Sequence, residues 1–146
     1  MSTLVVDASV AAKLFVEEDL SEAALSVLDV SNQLHAPDFL FLEMDNVICK
    51  WVRRGVITES EGGDIRAAFR RIPIKVHPFV SLRDSAYYIA NQTRRSVYDC
   101  LYVALAVFLN GWMVTADRRL YKGLVSGPFG EHVMWVEDIG ESEKMV

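Results

Sequence analysis

Short apolar runs alternate along this chain with segments in which apolar residues recur at helical spacing. Runs of about four to eight residues, rich in branched side chains and closed by glycine, proline or polar residues, are typical of buried strands. Segments with an apolar residue every third or fourth position are typical of helices packed on one side. The runs predict five strands, at residues 3–6, 33–36, 74–77, 112–115 and 132–136.

The segments between these runs predict seven helices. Thr58 and Glu61 have the spacing of a capping box at the start of one helix, and Gly55 ends the helix before it, so these two should form a hairpin. The helix over 97–109 is apolar nearly all round, which favours a central position. The predicted helices cover residues 9–17, 21–30, 39–54, 58–71, 82–93, 97–109 and 117–122.

The order of these elements predicts the fold class. Strands that alternate with helices indicate an α/β fold, with a parallel sheet covered on both faces and right-handed crossovers. The length of 146 residues and the hydrophobic content of 51% suit one domain over residues 1–146. We expect the acidic tail from about residue 138 to be loosely held.

Four carboxylates occupy positions where apolar residues are expected. Asp7 follows the run at 4–6, Glu43 the run at 39–42 and Asp117 the run at 112–115, while Asp99 opens an otherwise uncharged helix. A buried carboxylate costs several kcal/mol unless it is paired or bound to metal. In parallel sheets, ligands collect beyond the carboxyl ends of the strands, where Asp7 and Asp117 lie. If the fold brings these acids together, they form a Mg²⁺ site.

Each acid taken alone also has a structural explanation. Asp7 and Asp117 could cap the helices that follow them, and Asp99 could complete a capping box with Ser96. Glu43 could pair along its own helix with Asn46 and Lys50. Ser9 and Thr115, each two residues from an acid, could orient a carboxylate or metal-bound water, or could equally be turn and capping residues.

Composition and charge narrow the function classes. The net charge of −5 argues against binding nucleic acid by general electrostatics alone, although basic residues cluster at several places. The two cysteines have neither zinc-ligand nor disulfide-framework spacing, which favours a reducing cytosol. We expect no secretory signal and no membrane span, because the early apolar stretch carries Asp7 and Lys13 and the longest apolar run covers only 100–109.

Four segments together resemble the motifs of PIN-domain ribonucleases, and the closest branch is the toxin of VapBC-type toxin-antitoxin pairs. The resemblance runs from about residue 3 to 137, and its specificity comes from the order and spacing of the four motifs. The segments are VVDASV at 5–10, Pro37 followed by LEMDNV at 42–47, VYDCLYVALA at 97–106 and VTADRRL at 114–120.

This resemblance implies a three-layer α/β/α sandwich with strand order 3-2-1-4-5 and RNA cleavage that depends on Mg²⁺ or Mn²⁺. It implies a toxin that is cytoplasmic, is a homodimer and binds a cognate antitoxin. Asp45 departs from the small apolar residue usual beside the glutamate, and Leu120 and Tyr121 stand where some members carry a further acid. The implied metal ligands are Asp7, Glu43, Asp99 and Asp117, with Ser9, Asn46 and Thr115 in support; the hairpin residues Val47, Ile48, Trp51 and Phe69 are candidates for the dimer contact.

Two other function classes remain open from the sequence. A Mg²⁺-dependent phosphatase or phospho-acceptor also places an aspartate after its first strand, but Ser9 stands where such phosphatases need a second acid. A catalytically silent PIN-fold scaffold would bind only other proteins, yet all four acids are present. His35, His77 and His132 do not have metal-ligand spacing, and we expect structural roles for them.

Overall fold

The computed structural model describes residues 2–140, and all five predicted strands are found within them. The domain predicted for 1–146 stays a prediction, because residues 141–146 of its acidic tail lie outside this range. Each observed strand end lies within one residue of the predicted one. The strands are Ser2–Val6 (β1), Asn32–Pro37 (β2), Ile74–His77 (β3), Trp112–Thr115 (β4) and Val133–Trp135 (β5).

Seven α-helices connect and cover these strands within the described range. Several short 3₁₀ turns join them, among them Ser26–Leu28 and Phe79–Leu82. The helices are Ala8–Lys13 (α1), Ser21–Leu25 (α2), Phe39–Arg53 (α3), Glu59–Phe69 (α4), Arg83–Thr93 (α5), Val97–Leu109 (α6) and Arg118–Val125 (α7).

Three helix ends differ clearly from the sequence prediction. The first helix stops at Lys13 rather than at residue 17, because the amides of Leu14 and Phe15 bond to the carbonyls three residues back and so close the helix with a tighter turn. The second becomes a 3₁₀ turn after Leu25. The last continues to Val125, three residues beyond the prediction, because Leu124 is buried one turn after Leu120.

The sheet has the order β3-β2-β1-β4-β5, and all neighbouring strands are parallel. This confirms the predicted order. In this register Val6 lies beside Val114, and the amide of Asp7 donates a hydrogen bond of 3.5 Å to the carbonyl of Val114. The carboxyl ends of β1 and β4 therefore meet at one edge of the sheet, so that the segments following Val6 and Thr115 start next to each other.

Helix α6 forms much of the apolar core. Its residues from Cys100 to Ala106 are all buried, and it contacts β1, β2 and β4 as well as α5. Helices around the sheet complete the three-layer α/β/α arrangement, and the central position predicted for 97–109 is confirmed. Among residues 2–140, no helix combines the length and hydropathy needed to cross a bilayer.

Helices α3 and α4 form the predicted hairpin. The capping box is present: the Thr58 hydroxyl accepts from the Glu61 amide at 3.1 Å, and Glu61 accepts from the Thr58 amide at 2.9 Å. Asp45 accepts two hydrogen bonds from Arg66, of 2.7 and 3.1 Å, which gives this unusual acid a partner in the opposite helix. Ile48 and Phe69 are buried within the single chain, whereas Val47 and Trp51 are partly exposed, and the part of this hairpin in a dimer contact stays a prediction.

We expect Gly111 to be required for the close approach of β1 and β4. A Cβ at this position would lie 2.5 Å from the carbonyl oxygen of Thr3, so Gly111→Ala must move the two strands that frame the edge described above. The free energy of unfolding should fall by about 2 kcal/mol, as measured by urea denaturation. Gly63→Ala is the matched control, because nothing lies within 4 Å of its added Cβ and alanine favours the helix. Equal effects of the two substitutions would contradict the prediction.

Candidate active site

A cleft of about 200 Å³ lies beyond the carboxyl ends of β1 and β4. All four carboxylates singled out in the sequence line this cleft, so the fold brings them together as predicted. Charged side chains gathered around one cavity at the switch point of a parallel sheet are the usual setting of a ligand site. The lining residues are Asp7, Ala8, Ser9, Glu43, Asp99, Tyr102, Asp117 and Leu120.

Asp7 is the most deeply placed of the four acids, with 6% of its surface exposed. Its Oδ1 accepts hydrogen bonds from the Ser9 hydroxyl at 2.6 Å and from the Val10 amide at 3.0 Å, so it also caps α1. Burial raises its pKa to about 6; the hydrogen bonds lower it, and the charge of Asp99 adds a smaller increase. The capping role and the cleft position therefore coexist in one residue.

Ser9 and Thr115 link the ends of the two strands. While the Ser9 hydroxyl donates to Asp7, its oxygen accepts from the Ala116 amide at 2.9 Å. The oxygen atoms of the Ser9 and Thr115 hydroxyls are 3.4 Å apart, and Thr115 accepts from the Asp117 amide at 3.1 Å. The two hydroxyls thus lie where they hold carboxylate and backbone in place, which is the position their supporting role needs.

Glu43 is oriented by Tyr102, a residue that sequence reasoning missed. The Tyr102 hydroxyl donates to Oε1 of Glu43 at 2.5 Å across the space between α6 and α3. Burial raises the pKa of Glu43, as do the charges of Asp7 and Asp99, whereas the hydrogen bond from Tyr102 lowers it. Burial followed by the Glu43 charge raises the pKa of Tyr102, which keeps its proton in place. Tyr102 follows Asp99 by three residues on one helix, and that spacing could have revealed it.

Asp99 and Asp117 stand at the starts of α6 and α7. The amide of Asp99 donates to the Ser96 hydroxyl at 3.0 Å. Burial raises the pKa of the Asp99 carboxyl, and the Asp117 charge raises it further, while Ser96 and Arg95 lower it. Asp117 is exposed, and its Oδ1 accepts from the Leu120 amide at 3.1 Å. Both residues combine the predicted helix-start positions with a place in the cleft wall.

Other residues considered in the sequence lie outside this cleft. Asn46 lines an adjoining groove of about 710 Å³ that shares Glu43 and Asp99 with the cleft, so its supporting role stays a prediction. His35 and His77 contact each other, with Nδ1 and Nε2 2.9 Å apart. His132 lies with its Nδ1 3.0 Å from the Gly111 carbonyl oxygen. The histidines thus have structural contacts.

The cleft has the donor chemistry of a divalent-cation site. Burial raises the pKa values of Asp7, Glu43 and Asp99, and each is raised further by a neighbouring carboxylate; a cation would relieve both effects. Among residues 2–140, no group of three or more acids, histidines or cysteines is close enough to hold an ion by itself. Mg²⁺ commonly uses one or two carboxylates and fills its other positions with water. The residues present therefore fit Mg²⁺ or Mn²⁺ held partly through water.

A parallel sheet of this order with a carboxylate cleft beyond β1 and β4 defines the PIN type of α/β fold, and residues 4–123 match the PIN domain family. Ribonuclease VapC3 of Pyrobaculum aerophilum is 35% identical over 119 residues, which are 80% of this chain and 91% of that protein. Ribonuclease VapC9 of Mycobacterium tuberculosis is 31% identical over 117 residues, which are 80% and 87% of the two chains. The chain belongs to the PIN-domain family and, within it, to the VapC proteins.

Solved structures share the fold. A crystal structure from Pyrobaculum aerophilum aligns with a TM-score of 0.70 at 19% identity, covering 99% of this chain and 97% of the other. VapBC2 from Rickettsia felis, solved with a DNA fragment from its promoter, aligns with a TM-score of 0.62 at 11% identity, covering 91% and 98%. At these low sequence identities, the structural similarity shows that the fold is shared.

We expect the metal-free protein to lose stability as the pH rises. The folded chain holds the Asp7 proton up to a pKa of about 6, against 3.8 when unfolded, so the folded state binds more protons in that window. The free energy of unfolding in EDTA should therefore fall by about 3 kcal/mol as the pH rises from 3.8 to about 6, and then level off.

Denaturant unfolding at a series of pH values measures this effect. Asp7→Asn should flatten the decline, whereas Asp64→Asn, which changes an exposed acid of α4, should leave it intact. The prediction would be contradicted if, over the same pH range, the wild type gained stability relative to Asp7→Asn as the pH rose.

Proposed function

We propose that this protein is a Mg²⁺-dependent endoribonuclease and the toxin component of a type II toxin-antitoxin system. The observation that carries the proposal is the cleft lined by Asp7, Glu43, Asp99 and Asp117 in a chain of the VapC group. The named relatives are ribonucleases. The same proposal puts the protein in the cytoplasm, where RNA and a partner protein are available.

The four carboxylates would hold Mg²⁺, with Mn²⁺ as the alternative ion. When bound, the ion supplies an activated water for attack on the phosphodiester and stabilises charge on the departing oxygen. Ser9 and Val10 fix the Asp7 carboxylate by donating to Oδ1, and Tyr102 fixes Glu43 in the same way. Asp117 lies exposed at the mouth of the cleft, where an RNA strand can approach.

The two rival functions receive less support from the geometry. A phospho-acceptor needs an accessible aspartate nucleophile, but Asp7 is buried and one of its oxygens already accepts two hydrogen bonds. A silent scaffold has no use for carboxylates whose pKa values are raised by sharing one cleft, since this arrangement costs stability. No separate observation favours either function.

We infer two protein partners, a cognate antitoxin and a second copy of this chain. The groove that adjoins the cleft contains Leu42 and Tyr98, which are 64% and 61% exposed, so it offers an apolar surface continuous with the acids. A peptide segment that lies in this groove reaches Glu43 and Asp99 directly. The homodimer rests on the family resemblance.

We predict that Asp7→Asn and Asp99→Asn each abolish Mg²⁺-dependent RNA cleavage while leaving the fold intact, because each removes a ligand charge and keeps the side-chain shape. Cleavage of total RNA with mapped ends measures activity, and circular dichroism checks the fold. Mg²⁺ at a hundredfold excess over its Kd should stabilise the wild type by about 2.7 kcal/mol, and each variant by less.

The control for this experiment is Asp64→Asn, which should retain activity. Near wild-type cleavage by either purified cleft variant would rule out the proposed mechanism. An undiminished Mg²⁺ shift of the melting temperature in Asp99→Asn would place the ion elsewhere.

We also predict that the antitoxin inserts a basic side chain beside the four acids. The cleft concentrates negative potential between low-dielectric walls, and a cation there offsets the repulsion between the carboxylates. Charge reversal of the responsible residue in the small protein encoded next to this gene should weaken binding, as measured by calorimetry, and Glu43→Gln in this chain should reduce that loss. Affinity that survives reversal of every basic residue in the antitoxin tail would contradict this mode.

A further inference from the structure

The side chain of Arg95, just before the start of α6, packs against α7 at Gly123 and has no partner of its own. Its Nε is buried and has no hydrogen-bond acceptor. Within residues 2–140, no ion pair or side-chain hydrogen bond joins its guanidinium group to another residue. A partly buried cationic group is normally satisfied by the protein, so an arginine left in this state requires an explanation.

Gly123 makes room for this guanidinium group. A Cβ at position 123 would lie 2.5 Å from Cζ and 2.7 Å from Nε of Arg95, closer than any real contact allows. Glycine is a poor helix former, yet it occupies the interior of α7 here. The head of Arg95 therefore rests directly on the backbone of α7, and the missing side chain at position 123 is what permits it.

This position is close in sequence to two residues that line the carboxylate cleft, Asp99 and Leu120. Arg95 immediately precedes Ser96, which caps α6, and stands four residues before Asp99, just outside the helix. Gly123 lies one turn after Leu120, which forms part of the cleft wall. The positive charge of Arg95 acts on a carboxylate of the cleft. It lowers the pKa of Asp99, although burial raises that pKa by more.

The neighbouring arginines have different surroundings from Arg95. Arg118 lies over the ring of Trp135 at 4.6 Å from its centroid, and Arg119 is exposed on α7. Arg94 is the direct neighbour of Arg95, but it is exposed and adopts a left-handed backbone conformation at the end of α5. Arg95 thus combines a held position beside the cleft with a guanidinium group that no other side chain occupies.

We propose that Arg95 is an RNA-positioning residue, whose Nη groups bind a phosphate oxygen of the strand lying across the cleft. The planar guanidinium group offers donors that match a phosphate, and its support on Gly123 fixes the distance between that phosphate and the carboxylates. This inference rests on the proposed ribonuclease function. Its rival is that Arg95 acts only as a counter-charge for the carboxylates and never touches RNA.

The test uses the full chain carrying Asp7→Asn, so that RNA is bound without being cut. Binding of a fluorescein-labelled, mixed-sequence single-stranded RNA is followed by anisotropy at saturating Mg²⁺ over a range of KCl concentrations. Arg95→Ala should weaken binding about tenfold, the loss of one charge-assisted contact. It should also reduce the slope of log affinity against log salt by about 0.7.

Three further variants separate contact from charge. Gly123→Ala keeps every charge but displaces the guanidinium group, and should weaken binding while the melting temperature holds. Arg95→Lys keeps the charge but loses the planar donors, and should restore only part of the affinity. Arg94→Ala is the matched control and should have a smaller effect than Arg95→Ala.

The outcomes are distinguishable. If the wild type cleaves RNA but Arg95→Ala and Gly123→Ala keep full affinity and salt slope, this inference is wrong and the ribonuclease proposal stands. Full rescue by Arg95→Lys would assign Arg95 to the counter-charge role and also overturn the inference. A wild type that neither binds nor cleaves RNA in Mg²⁺ would overturn both. Should Arg95→Ala fail to fold, Gly123→Ala decides, because it removes no polar group.

Discussion

The hydrogen bonds of the Ser9 hydroxyl hold together the two strand ends on which the rest of the site depends. Parallel pairing makes β1 and β4 neighbours, but pairing alone leaves the segments after Val6 and Thr115 free to diverge. Ser9 donates to the Asp7 carboxylate and accepts from the Ala116 amide, so one oxygen atom joins the chain after each strand. Asp7 and Asp117 are consequently held at the same edge of the sheet. The helices α1 and α7 begin there, and their first turns lie next to the cleft.

Because the carboxylates lie close together at this edge of the sheet, the metal-free site is electrostatically unfavourable. Asp7 is buried with only hydrogen-bond donors to stabilise its charge, and its pKa rises to about 6. Burial also raises the pKa values of Glu43 and Asp99; the charges of Asp7 and Asp99 raise that of Glu43 further, and the charge of Asp117 raises that of Asp99. The core has to offset this cost, and the seven consecutive buried residues of α6, which also carries Asp99 and Tyr102, supply much of that packing. Stability and site chemistry are thus built on one helix, a common condition for functional sites.

Sequence patterns were sufficient for the elements and for the four acids, because apolar runs and the charges that interrupt them are local signals. The strand order was available only through the family resemblance, since pairing between distant strands leaves no local trace. Tyr102 was missed because a tyrosine in an apolar helix looks like core, and its hydroxyl meets Glu43 only across 59 positions of sequence. Likewise, the role of Gly123 had no local signal, because the predicted helix ended at residue 122 and the guanidinium group of Arg95 comes from a segment distant in sequence.

An acidic protein that handles an acidic polymer must separate the two kinds of charge in space. The four carboxylates of the cleft account for most of the net charge of −5, and the remainder of the chain is within one charge of neutrality. In the proposed function, a divalent cation bound in the cleft would remove much of the repulsion of RNA at the point where the negative charge is densest. The rest of the chain then has to position the strand, and its nearly neutral total charge gives no strong general attraction for RNA. In the proposal made above, this positioning comes from an individual cation held beside the cleft, and a guanidinium group supported by backbone loses less side-chain freedom on binding a phosphate than an unsupported one.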